Sequence, residues 1–486
     1  MRFSSVDRAL GEALVIVAGV ALGASTSGCT DPAIEPDAGS SADVGASIDA
    51  GASDTGSHDD AAAVDAARID APIEAPIDAS AADVGSDAGC GATEILRGGA
   101  CVARTPTPRS DFDGDGLSDI AVGSYGSVTI YAGRDRADPW VRSQLVSPPR
   151  PGDPNFGGEL AATGDTNGDG FDELAVMERG RGYVWLFRGG AGGLDTSAPL
   201  ELPGCSTPSD TCDGESLSAA GDVDGDGLRD LVVVRSVVVD FRVYWTAYLF
   251  RGATTGLETS YAWSAPGSSA VGVGDVDADG FDDLLLLADY GHARIVYGSA
   301  SGPSARETPL LGTYEARGMQ GGADVNGDGV GDVVLLDPTG AARPRLLVYL
   351  GARGGLTGSA AQAIEIEVGP AALEGEGLAS PGDMDGDGRA EIAVTLSGSV
   401  GPGQVRVWWG GEDGLSTTDV TTLDDVSMIP APLSGTGDVD GDGLGELVEG
   451  GRGGTPQWLS GITRGATSAT VVPLSGSTGV SLGHPL

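Results

Sequence analysis

A chain of 486 residues with a formal net charge of −44, 82 glycines and only 5% aromatic residues has room for two or three domains or one large β domain. Its 27 basic residues face 71 acidic ones and form no run, which excludes a phosphate-backbone partner, so no nucleic acid is expected. The chain opens on a segment that reads as an export signal over 1–28. Arg2 and Arg8 flank a polar head, "ALVIVAGVALGA" (13–24) is an apolar run too short to span a bilayer, and "STSGC" ends at Cys29. That end resembles a bacterial lipoprotein signal in which Cys29 takes the lipid, with an ordinary secretory signal as the alternative. A lipid on Cys29 is the only membrane contact expected, in a bacterial cell envelope, at the outer membrane or cell surface.

Residues 30–89 hold fourteen acidic residues, one arginine and no aromatic. Such a segment cannot bury enough apolar surface to offset its ordering entropy, so 29–89 is read as a disordered, self-repelling spacer. Four cysteines follow Cys29. In an oxidising compartment their even count and proximity suggest two local disulfides, Cys90–Cys101 and Cys205–Cys212.

From residue 111 one acidic turn recurs seven times, at start-to-start spacings of 54, 57, 53, 49, 59 and 55 residues. Oxygen side chains stand at loop positions one, three, five and nine. They are Asp111, Asp113, Asp115 and Asp119 in the first loop, Asp165, Asn167, Asp169 and Glu173 in the second, and Asp222, Asp224, Asp226 and Asp230 in the third. The fourth carries Asp275, Asp277, Asp279 and Asp283, the fifth Asp324, Asn326, Asp328 and Asp332. The sixth has Asp383, Asp385, Asp387 and Glu391, and the seventh Asp438, Asp440, Asp442 and Glu446. Hard oxygen donors at this spacing suit Ca²⁺, which takes six to eight such ligands, and up to seven structural ions are expected. Position six is glycine in every copy, as a turn that folds carboxylates onto one point requires. Metal-free surface turns are the alternative.

An apolar run follows each loop, then a second β-prone run and a Gly-Leu turn. Each unit therefore offers about four short strands and no helix. Seven such units close most simply as an all-β, seven-bladed β-propeller over 90–486, with an open solenoid as the structural rival. The tail, 468–486, is expected to complete the first blade, because little chain precedes the first loop. Glu449 sits awkwardly in the expected strand of the seventh unit.

These repeats resemble the FG-GAP family, the propeller repeats of integrin α-subunit heads and many bacterial surface proteins. The named dipeptide survives as Phe156-Gly157, and "YAGR" (131–134) and "FRGG" (187–190) echo its second half. The resemblance implies a calcium loop between the first two strands of each blade. It names no ligand, since one fold carries many functions.

No catalytic constellation is read. His58, His292 and His484 are isolated, no nucleophile or phosphate-loop motif appears, and the conspicuous acids belong to the loops. The tryptophans at 185, 245, 263, 408, 409 and 458 fall in expected strands as core. The reading is a non-enzymatic, calcium-stabilised interaction or adhesion module whose partner is a surface protein or a glycan. The alternatives are a lectin-like glycan binder and a polysaccharide- or phosphoester-cleaving enzyme. Recognition is expected in the connections 150–158, 205–212 and 360–377.

Overall fold

A computed structural model of the protein describes residues 94–97, 100–103 and 110–482, with interruptions at 125, 135–143, 151–153, 205–210, 289–291, 314–315, 317, 338–342, 368–376, 397–402, 428–431, 451–454 and 475–480. The export signal, Cys29 and the spacer lie outside these residues, as do parts of all three connections expected to carry recognition.

Seven antiparallel four-stranded sheets, with two short two-stranded hairpins, make up the described fold. Blade two, which is typical, runs Phe156–Gly164, Glu173–Glu178, Tyr183–Phe187 and Leu200–Leu202. Its acidic loop joins the first strand to the second. Blades three to seven repeat the order, with second strands Asp230–Val239, Asp283–Leu287, Asp332–Asp337, Glu391–Leu396 and Glu446–Glu449. Blade one is assembled differently. Ile120–Ser124, Ser127–Tyr131 and Gln144–Val146 are joined by Ser481–Leu482 from the far end of the chain, with Val122 opposite Leu482 and Gly123 opposite Ser481.

The near-continuous apolar second strands follow from burial on both faces. Leu174 and Val176 face blade one, in a core with Phe112, Val128 and Ile130; Ala175 and Met177 face blade three, in a core with Leu217, Leu231 and Val233. Each of the seven junctions between neighbouring blades has such a core. The one that closes the ring joins Val439, Val448 and Trp458 of the last unit to Ile120, Val122 and Tyr131 of the first. In blades one to six a fully buried aromatic stands at or beside the end of the third strand: Tyr131, Phe187, Phe250, Tyr297, Tyr349 and Trp409. Trp185, Trp408 and Trp458 are buried as expected, and Trp245 and Trp263 are partly buried against the core between blades three and four. Glu449 is buried within its strand, opposite Leu433 and Gln457.

Two features depart from expectation. The disulfides are corrected, because no Sγ–Sγ pairing occurs among the described residues. The backbone register sets Cys101 opposite Leu96 in the hairpin Glu94–Arg97/Ala100–Ala103, and Cys212 opposite Val237 in blade three; Cys90 and Cys205 lie outside the described residues. The second departure is the middle hairpin of blade three, whose strands Asp230–Val239 and Arg242–Phe250 run to ten and nine residues. Its turn is made by Asp240 and Phe241 at φ 50° and 61°. In "VVVDFRV" only Asp240 is a usual turn residue; Phe241 stands where glycine is expected.

Closure gives a direct test. Ending the chain after Leu474 removes the strand beside Val122 and bares the edge of blade one. The expected result is a lower melting temperature and concentration-dependent self-association in sedimentation velocity; unchanged melting would show that the last strand does not close the ring.

Candidate metal loops

Each loop is built around its first aspartate. Asp111 Oδ1 accepts from the N–H groups of Gly114 (2.6 Å) and Asp115 (3.1 Å), and Oδ2 from that of Gly116 (2.9 Å). Asp115 then accepts from Leu117 N–H at 2.9 Å. Loops five and seven repeat this on Asp324 and Asp438. The turn needs position six in the left-handed region, and its seven glycines have φ from +82° to +94°. Position four is also left-handed, and there the fourth loop carries Ala278 at φ 56°.

The position-nine carboxylate ties the loop to its blade. Asp119 accepts from Phe112 N–H at the start of the loop and from Gly133 N–H after the third strand, both at 2.9 Å. Asp230, Asp283 and Asp332 do the same with Val223 and Gly252, Val276 and Gly298, and Val325 and Gly351. The third-strand glycine is required by close approach: a Cβ on Gly351 would stand 2.2 Å from Gly331 O. All seven position-nine groups are at most 3% exposed. Burial pushes their carboxyls up, to about 7 for Glu173, Asp230 and Asp332, about 8 for Asp119 and Asp283, and about 9 for Glu391 and Glu446; the hydrogen bonds they accept pull the other way.

The loops are joined to one another. The position-eight N–H of each donates to the position-one carbonyl of the loop before it: Asp172 to Asp111, Arg229 to Asp165, Asp282 to Asp222, Gly331 to Asp275, Ala390 to Asp324, Gly445 to Asp383, and Ser118 to Asp438, over 2.8–3.3 Å. The last of these returns to the first loop, so the seven form a closed collar. Position-seven side chains lie over the preceding loop's position four, Phe171 over Gly114 and Phe281 over Gly225, with Leu117 over Gly441 at the closure.

Convergence of carboxylates differs between loops. Asp438, Asp440, Asp442 and Glu446 bring four carboxylate oxygens within 4.8 Å of one another. Loops one, three and four bring together positions one, three and five, and loop six brings together Asp383, Asp385 and Glu391. At position nine, glutamate reaches the cluster in loops six and seven, whereas the shorter aspartate stays on its two peptide groups in loops one, three and four. Loops two and five hold asparagine at position three and form no three-carboxylate group among the described residues. Asn167 donates to Glu173 at 2.8 Å, and Asn326 to Asp328 at 3.0 Å.

The donors fit a hard divalent cation: all are oxygen, without His or Cys. Asp224 Oδ1 and Asp277 Oδ1 are buried with no hydrogen-bond partner, an arrangement a cation would satisfy. Three arginines, unanticipated from the sequence, reach position three. Arg251 Nε lies 3.0 Å from Asp224 Oδ2, Arg306 pairs with Asp277, and Arg464 pairs with Asp385 and, at 2.6 Å, with Asp387. His292 is exposed, as expected.

Two tests follow from this geometry. Gly280→Ala places a Cβ in open space but forces a left-handed alanine, at a cost of roughly 1–2 kcal/mol. Ala278→Gly relieves the same strain and is expected to be neutral or stabilising by up to about 1 kcal/mol; urea unfolding of both variants checks the contrast. In chelator, the raised position-nine groups favour the folded state below the ordinary carboxyl range. That stability is lost as pH rises from about 4, the unfolded value, through folded values of about 7 to 9. Metal-free protein should therefore melt lower at pH 9 than at pH 5.5, and excess Ca²⁺ should shrink the difference; equal melting in chelator at the two pH values would refute it.

Comparison with known proteins follows the same loops. The FG-GAP-like repeat description matches residues 111–176, 165–233, 222–286 and 324–394, together just over half of the chain. Integrin alpha-PS5 of Drosophila melanogaster is 31% identical over 137 residues, covering 25% of this chain and 14% of that protein. Integrin alpha-IIb of Homo sapiens is 31% identical over 143 residues, covering 26% and 14%. Among solved structures, the BP39L lectin of Burkholderia pseudomallei covers 78% of this chain and 99% of its own at TM-score 0.47 and 11% identity, a likeness of outline that carries no argument about ligand or location. The sequence relatives are animal integrins rather than bacterial envelope proteins, so the expected place in a bacterial envelope, held by lipid on Cys29, is withdrawn. Repeat spacing, loop chemistry and the matched residues agree: the chain belongs to the FG-GAP-like repeat family.

Proposed function

We propose that this chain is a non-catalytic interaction module: a propeller held by up to seven structural Ca²⁺ ions that binds a partner protein through the tip of its third blade. The observation that carries the reading is the long hairpin of that blade. Val238, Val239, Val243 and Tyr244 are exposed around its turn, and Phe241 is fully exposed. Five large apolar residues at one protruding tip form the kind of patch that marks an interaction site. The turn supports the same reading. Phe241 stands in a left-handed conformation that glycine would adopt without strain. A bulky aromatic is thus held outward at a local cost.

The calcium part of the proposal is supported by the oxygen-only donor sets and the buried, unpartnered Asp224 Oδ1 and Asp277 Oδ1. A bound ion would offset repulsion among the clustered carboxylates and draw position nine to its charged form. The integrin relatives cover a small part of their own length with this match, so adhesion remains a proposal for this chain.

A glycan is the alternative partner, favoured by the exposed Tyr244 and by Tyr261, which is exposed and packed edge-on to Tyr248 at 4.9 Å. Phe241→Gly separates stability from binding. It is expected to raise stability by about 0.5–1 kcal/mol, by relieving the left-handed turn, and to abolish protein capture. A variant that retains full capture defeats the hairpin as the binding surface. A reproducible glycan-array signal lost in Tyr244→Ala or Tyr261→Ala would move the reading to a lectin.

A further inference from the structure

The calcium loops proposed above are not equivalent, and the difference is written in arginines rather than in the loops themselves. In loops three, four and six a guanidinium already sits on the position-three carboxylate. Arg251, just past the third strand of blade three, stands 3.0 Å from Asp224 Oδ2 and donates to Ser301 O in the next blade at 2.5 Å. Arg306 pairs with Asp277, donates to Gly354 O of the next blade at 2.6 Å and lies 3.7 Å above the Tyr297 ring. Arg464 reaches back from blade seven to Asp385 and Asp387 of loop six and lies 5.3 Å above the Trp409 ring.

Blade two shows what happens when the carboxylate is missing. Arg188 occupies the same place in "LFRG" as Arg251 and donates to Thr255 O of the next blade. Loop two, however, carries Asn167 at position three, and Arg188 makes no ion pair among the described residues. Loop one has the full set of aspartates, and no ion pair engages Asp111, Asp113 or Asp115 among the described residues. Among the described residues, loops two and five carry asparagine at position three, and loops three, four and six carry an arginine ion pair there.

We propose that Arg251, Arg306 and Arg464 are built-in counter-cations, which hold loops three, four and six in the absence of metal and must leave the position-three carboxylate when Ca²⁺ binds. These loops then form a weaker calcium class than loop one. Geometry allows the exchange. Each arginine engages one oxygen of its position-three aspartate, while Asp277 Oδ1 and Asp224 Oδ1 remain buried without a hydrogen-bond partner, in side chains 1% and 7% exposed. The arginine side chains are 29%, 45% and 38% exposed, so each has water to swing into. Their contacts to the neighbouring blade also mean that metal binding in loops three and four would loosen a tie between blades, whereas binding in loop one would not.

The inference rests on the calcium reading, and one experiment separates the two. Full-length protein, stripped of metal, is titrated with CaCl₂ by calorimetry and melted in chelator and in excess Ca²⁺. Arg306→Gln is expected to tighten one site roughly fivefold, the size of a partly exposed ion pair, and to lower the melting temperature in chelator but not in excess Ca²⁺. Arg306→Lys, which keeps the charge, should stay near wild type. Arg251→Gln provides the same readout at loop three if the first variant does not fold. Asp113→Asn should remove a site from the tighter class. A wild-type chain that binds no Ca²⁺ overturns the loop reading and this inference with it. A wild type that binds, with isotherms unchanged or weakened in the glutamine variants, overturns this inference alone.

Discussion

Seven peptide hydrogen bonds, each from position eight of one acidic loop to the position-one carbonyl of the loop before it, hold the structure in register. Like the seven cores between blades, this collar passes through every unit and returns to its start. It also fixes what the loops can be. Position one must spend its carboxylate on its own turn and its carbonyl on its neighbour. Position nine must be buried where the blade meets the loop. The acidic side chains are therefore parts of the scaffold before they are ligands, and a loop that lost them would open the collar as well as a metal site.

That double use shapes the electrostatics. Placing several carboxylates in a turn and burying one of them is unfavourable for the charged form. The chain answers in three ways: peptide N–H groups that converge on positions one and nine, asparagine in place of aspartate in two loops, and arginine on position three in three others. A divalent cation is a further answer, and the loops differ in how much they need it. Loop seven brings four carboxylates together, whereas in loop two an amide already bridges to Glu173.

Most of the fold was legible because the repeat is long and its punctuation rigid. Glycine at position six and an apolar run after position nine located all seven second strands, and the surplus chain at the end located the strand that finishes blade one. What escaped reading was carried by residues far apart in sequence. Arg464 serves a loop that begins at Asp383. The buried aromatics at or beside the ends of third strands were hidden because tyrosine, phenylalanine and tryptophan interchange there. The hairpin of blade three was hard to read, since Asp240 is followed by Phe241 where a glycine would have announced the turn. The cysteines misled because proximity in sequence says nothing about strand register, which sets Cys101 opposite Leu96 and Cys212 opposite Val237.

The assembly of blade one has a consequence for the order in which the molecule forms. Val122 and Gly123 are made long before their partners, Leu482 and Ser481. Six blades can be complete while the first still shows an open edge. Joining ends so far apart in the chain is slow, because the entropy of closing the loop is lost before any contact repays it. During synthesis the strand pair that finishes blade one therefore forms only once residues 481–482 have been made, after the strands of the other six blades.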